Sequence, residues 1–138
     1  MSAEPERFVL DSFALLAYLG DEHGRERVEA VLAAAARDEC STCVSVINLG
    51  EVLYITERER GLAQAQAALA ALDQLPLRVL PADREAVLAA AHVKANHRLS
   101  YAGSFAVATA QALGATVLTG DPEFASVGSL VSVEWLAS

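Results

Sequence analysis

The chain has 138 residues, a formal net charge of −8 and a hydrophobic content of 54%, much of it alanine. That length fits one domain with a real core, residues 1–138 as a single unit, and the alanine favours helices over a β-sandwich. No apolar run approaches the roughly 20 residues that span a bilayer, and MSAEPERF at the start lacks the apolar centre of a signal peptide, so the expected address is the cytoplasm, with no membrane partner.

In chain order, Phe8–Leu10 reads as a short buried strand, and Asp11 or Ser12 caps a helix through Leu15, Leu16 and Leu19 that Gly20 ends. A second helix is expected from about Gly24 to Arg37, then a strand near Thr42–Val44. Ser45 caps a helix from Val46 to Arg60 that stops at Gly61, and an alanine-rich helix follows from Leu62 to Leu72, packed in the core or in a dimer interface. Leu77–Leu80 is the next strand. Asp83 and Ser100 cap two further helices, the second ending at Gly114 before a strand at Thr116–Leu118; Leu130–Val133 closes the chain as an edge strand. Strands alternating with helical crossovers imply an α/β fold, a mainly parallel sheet covered on both faces. Cys40 and Cys43 form a lone CxxC without a second pair or histidines at finger spacing, so they read as small buried hydrophobes, not as a zinc or redox site.

Three acids stand at the edges of apolar runs: Asp11 after FVL, Glu51 within VSVINLGEVLYI, and Asp121 after ATVLTG. Asp11 and Asp121 have a plain alternative as helix caps, the second because Pro122 follows it at a first helical position. Glu51 is harder to dismiss. Ile47, Asn48, Tyr54 and Ile55 lie one turn away, so its carboxylate projects from a mostly apolar stripe toward the interior or a cleft, and burial there unpaired would demand a metal or a distant arginine. Gly50 beside it would admit the close approach of another backbone. Two carboxylates 4 Å apart repel by about 4 kcal/mol at an effective dielectric near 20, so such clusters form mainly around a cation. Hard oxygen ligands suit Mg²⁺ or Mn²⁺, and that pairing suits hydrolysis of a phosphodiester. No GxGxxG or GxxxxGKS loop follows a strand, and an aspartyl-phosphate site would want a second Asp where Phe13 stands.

The segments FVLDSFALLAYL, SVINLGEVLY and LSYAGSFAVATAQALGATVLTGDPEF, in this order and spacing over nearly the whole chain, resemble the PIN-domain family, and within it the VapC-type toxins of toxin–antitoxin pairs. The resemblance implies a three-layer α/β/α fold, divalent-metal-dependent RNA cleavage, a cognate antitoxin and a homodimer. It also implies metal ligation by Asp11, Glu51 and Asp121, with Ser12 and Thr119 as supporting hydroxyls. The fourth acid of such sites falls at Gly103. Ser104 is no simple substitute, since the next residue on a helix points about 100° away. Gly103 reads either as a lost catalytic side chain, natural or acquired on cloning, or as a close-packing position. Weak or absent cleavage is therefore expected, and the rival expectation is a catalytically dead module that binds an antitoxin or RNA.

The charge is uneven: residues 1–57 carry four basic and eleven acidic side chains, 58–98 six and four, and 99–138 none and three. An acidic chain binds nucleic acid poorly without a cation to change the local sign. Arg58, Arg60, Arg78, Arg84, Lys94 and Arg98 are the candidate phosphate contacts, with Tyr101 and Tyr54 available for base stacking. Solvated helix faces are the plain alternative.

Overall fold

The computed structural model describes residues 4–136, so the first three residues of MSAEPERF and the last two of the chain lie outside it. Five strands, β1 (Glu6–Leu10), β2 (Cys40–Ser45), β3 (Arg78–Leu80), β4 (Thr116–Thr119) and β5 (Ser132–Trp135), pair in parallel in the order β3-β2-β1-β4-β5. The connections carry α1 (Ser12–Leu19), α2 (Arg25–Ala36), α3 (Val46–Arg60), α4 (Leu62–Asp73), α5 (Arg84–Asn96), α6 (Tyr101–Leu113) and a 3-10 helix, Pro122–Val127. Parallel neighbours require such crossovers, because each strand must start again from the same end of the sheet.

Alternation along the strands builds two cores. Phe8, Leu10, Val44 and Leu118 pack on one face with Leu15, Val28, Val31 and Leu32, while Val9, Cys43 and Val117 pack on the other with Val93, Ala106, Val107 and Ala110. This is the expected three-layer α/β/α arrangement. The four expected caps are formed: Asp11 accepts from the Ala14 amide at 2.9 Å, Ser45 from Ile47 at 3.2 Å, Asp83 from Ala86 at 2.9 Å and Ser100 from Gly103 at 2.9 Å. Cys40 and Cys43, an odd number of residues apart on β2, face opposite sides of the sheet and remain free thiols. Burial pushes the Cys43 thiol up to about 11, which leaves it inert at neutral pH.

Two expectations need correction. The closing strand starts at Ser132, not Leu130, because the Leu130 and Val131 amides bond back to the Val127 carbonyl and keep those residues in a turn. Gly50 serves no close packing, since nothing lies within 4 Å of the position its Cβ would take. Gly24 does carry a constraint: it has φ +92°, and a Cβ there would sit 2.9 Å from Cβ of Leu136. Gly24→Ala is expected to cost about 1–3 kcal/mol through the backbone conformation and the clash, read as a lower melting temperature. An unchanged melt would contradict this account.

The chain adds β2 and β3 on one side of β1, then returns to place β4 and β5 on the other. A crevice therefore opens at the carboxyl ends of β1 and β4, where connections diverge to opposite faces of the sheet.

Candidate active site

Asp11 follows β1 directly and Thr119 ends β4, and the register Leu10↔Leu118 makes these two residues neighbours at the crevice. The Thr119 hydroxyl donates to Oδ2 of Asp11 at 2.5 Å and accepts from the Asp121 amide at 3.0 Å. Oδ1 of Asp121 accepts from the Glu123 amide at 2.9 Å and caps the 3-10 helix. Both aspartates thus fill the cap role that was their plain alternative. Each cap uses one oxygen, and an ionised carboxylate keeps further acceptor sites.

Asp11 is 3% exposed. Burial pushes its carboxyl up to about 7, the bonds from Thr119 and Ala14 oppose this, and the charge of Asp121 raises it further. Among the described residues neither aspartate forms a salt bridge. Two hydrogen bonds offset part of this cost, but a desolvated acid with a like charge beside it has no counter-ion, which a divalent cation on oxygen ligands would supply.

Of the two placements expected for Glu51, the interior is not the one found. It is half-buried, not enclosed, and the Tyr54 hydroxyl donates to its Oε2 at 3.4 Å. Water reaches it, so the burial argument for a metal applies to Asp11 and not to Glu51. No three His, Cys, Asp or Glu side chains among the described residues stand close enough to hold a metal ion. Asp11 and Asp121 are the acids that feel each other, and no hydrogen bond joins Glu51 to them.

Asn48, one turn before Glu51 and 1% exposed, is the part that sequence reasoning missed. Its Nδ2 donates to Oγ of Ser12 at 3.2 Å and to the Ala102 carbonyl at 3.0 Å, and Oγ of Ser12 donates to the Asn48 carbonyl at 3.3 Å. One amide therefore ties α3 to the first turns of α1 and α6. Ser12 supports this junction, whereas Thr119 supports Asp11 itself. Oδ1 of Asn48 is buried without a partner. The signal was available: an asparagine on an apolar helical stripe has to find partners.

Gly103 sits in the first turn of α6, buried. A Cβ there would lie 3.0 Å from Cγ and Cδ1 of Leu99 and from Oγ of Ser100, so the close-packing alternative has a structural basis. Ser104 is fully buried and its hydroxyl donates to the Ser100 carbonyl at 2.9 Å. Among the expected RNA contacts, the Arg58 guanidinium lies 5.2 Å from the Tyr54 ring centre, Tyr101 is 47% exposed and meets Phe105 edge-on, and Arg98 is exposed.

Residues 8–130 match the family model for the PIN domain. The chain belongs to the PIN domain family. No curated protein sequence matches it. Among solved structures, this PIN domain is similar to VapBC2 from Rickettsia felis bound to a promoter DNA fragment, with TM-score 0.75 and 14% identity over 95% of this chain and 99% of that one. DNA-bound VapBC from Salmonella typhimurium gives TM-score 0.72 and 21% identity over 94% and 97%. VapC20 of Mycobacterium tuberculosis, described as a Sarcin-Ricin loop cleaving toxin, gives 0.71 and 17% over 88% and 95%. At these identities the likeness is one of fold. No helix among the described residues of this PIN domain is long and apolar enough to cross a membrane.

Proposed function

We propose that this single PIN-like domain is a VapC-like endoribonuclease toxin of a toxin–antitoxin pair, dependent on Mg²⁺ or Mn²⁺ and weakened by glycine at position 103. The observation that carries the reading is Asp11, buried, without a counter-ion and beside Asp121 at the switch crevice of a PIN domain. The chemistry of the donor pair fits a hard cation: two carboxylates here and waters in the remaining positions, as Mg²⁺ tolerates, with Glu51 on α3 outside a three-acid cluster in this structure. Such an ion, when bound, activates water and offsets charge on the phosphodiester. Thr119 holds the Asp11 carboxylate in orientation, and the Ser12–Asn48–Ala102 bonds keep the helices bearing Glu51 and position 103 in place.

Without an acid at 103, the attacking water lacks an orienting base on α6. The VapBC complexes of similar fold support an antitoxin as the protein partner, and the Sarcin-Ricin loop cleaving toxin supports RNA as substrate; the same reading takes a two-fold dimer, the commonest closed assembly, in the cytoplasm. An antitoxin helix laid against the domain would be the ordinary mode.

Calorimetric titration of the intact chain with Mn²⁺ is the direct test. Binding is expected, with a loss of about tenfold or more in Asp11→Asn, since even partners outside the ligand set cost 10–100-fold. No binding at millimolar metal would favour the rival, a catalytically dead module that holds an antitoxin or RNA.

A further inference from the structure

Phe13 is the second residue of α1, between buried Ser12 and Ala14, yet it is 40% exposed. Its ring edge rests on Gly120: a Cβ at that position would lie 2.3 Å from Cε1 and 2.7 Å from Cζ. Gly120 is absent from the residues with positive φ, so the backbone does not require glycine there. The ring does. Gly120 itself lies between Thr119, which bonds Asp11, and Asp121, so the supported ring borders the acid pair.

On its other side Phe13 edges an open groove of about 840 Å³ that His23, Arg25 and Arg27 also line, together with Asp21, Glu22 and Glu26. The groove has the size of an ordinary small-ligand cleft. Arg25 and Arg27 are already paired with Glu29 and Glu134, so phosphate attraction there is weak. In a protein of net charge −8 whose groove arginines are already paired, stacking on an aromatic face adds a source of RNA affinity that needs no charge and serves any base.

We infer that Phe13 is the base-stacking residue of this domain: it takes an unpaired base next to the phosphate that the Asp11–Asp121 crevice handles. The inference rests on the ribonuclease reading above and names the part of the substrate that this site grips.

The test uses the intact chain, fluorescence anisotropy with a short labelled unpaired RNA, and a set of the same RNA with one abasic nucleotide each, in millimolar Mg²⁺ with RNA integrity checked on a gel. Phe13→Leu is expected to weaken binding by about 5- to 150-fold while Phe13→Tyr retains it. Gly120→Ala, which pushes the ring off its seat, is expected to match Phe13→Leu. One abasic position should weaken binding to the wild type by the same factor and to Phe13→Leu by nothing further.

Equal affinity of wild type and Phe13→Leu, or losses that multiply at every abasic position, would overturn the inference and leave the ribonuclease reading standing. Loss of self-association in Phe13→Leu with unchanged RNA affinity would assign the ring to a protein interface and overturn it too. Absence of any RNA binding by the wild type would remove both. If Gly120→Ala does not fold, the Leu and Tyr variants with the abasic set still decide.

Discussion

Gly103→Asp is expected to raise metal-dependent cleavage of structured RNA by about 10²–10⁴-fold over the wild-type chain, the usual worth of a positioned general base. The position lies in the first turn of α6, and its neighbour Ala102 is bonded by Asn48, which also holds Ser12 beside Asp11. A carboxylate added there would be carried by an element already tied to the one that bears Asp11.

The gain should come with a loss of stability. Leu99 and Ser100 stand 3.0 Å from the new Cβ, and Leu99 is 2% exposed, so the core must shift at a cost of about 1–3 kcal/mol. Gly103→Ala separates the two effects, because it brings the crowding without the carboxylate. It should melt lower than wild type and gain no activity. A double variant with Leu99→Ala, which removes both crowding carbons Cγ and Cδ1, compared with Leu99→Ala alone, keeps the comparison open if the single variant folds poorly. Equal and robust cleavage by wild type and Gly103→Asp would refute the idea that an acid is missing.

Asp11→Asn is expected to stabilise the metal-free protein at about pH 8 and to change it little near pH 4. The folded-state pKa of Asp11, about 7, lies above the ordinary value of 3.8, so the native state holds the proton more tightly than the unfolded chain does. Its contribution to stability is therefore fully present below about pH 4 and is lost as pH rises towards 7. Above that, the buried carboxylate costs about 4 kcal/mol, an order-of-magnitude figure from the size of the shift.

Asparagine removes this charge and can still cap α1 through its side-chain oxygen. Thermal melts across pH check the prediction: wild type should fall relative to the variant between about pH 4 and 7. Added Mn²⁺ should narrow the difference at pH 8, because a cation favours the ionised acid and binds only the folded wild type. A variant that melts lower than wild type at pH 8, or a difference independent of pH, would show that the carboxylate is compensated by something else.

Much of the fold was legible because its signals are local. Asp11, Ser45, Asp83 and Ser100 each satisfy an amide within three residues, so their identity marks a helix start wherever the chain later goes. Alternation places Val9 opposite Phe8 and Leu10, and the turns at Gly61 and Gly114 carry the positive φ that glycine tolerates. The candidate site was legible in its strand-end aspartates and, through the family resemblance, in the hydroxyls of Ser12 and Thr119. Glu51 illustrates the limit, since its apolar neighbours along α3 left interior and cleft both open, and the actual exposure depends on how the other helices pack around α3.

The amino-acid order by itself determined the elements, their caps, the parallel α/β class and the acids placed after two strands. Only the tertiary structure decided that β1 lies beside β4, which brings Thr119 onto Asp11 across 108 positions of chain. It also decided that Asn48 joins three helices, that Leu99 crowds position 103 and that Phe13 needs Gly120 beneath it. Propensity, capping and periodicity act within a turn or a strand, whereas these contacts arise from the packing of surfaces distant in sequence, where neither partner alone carries the signal.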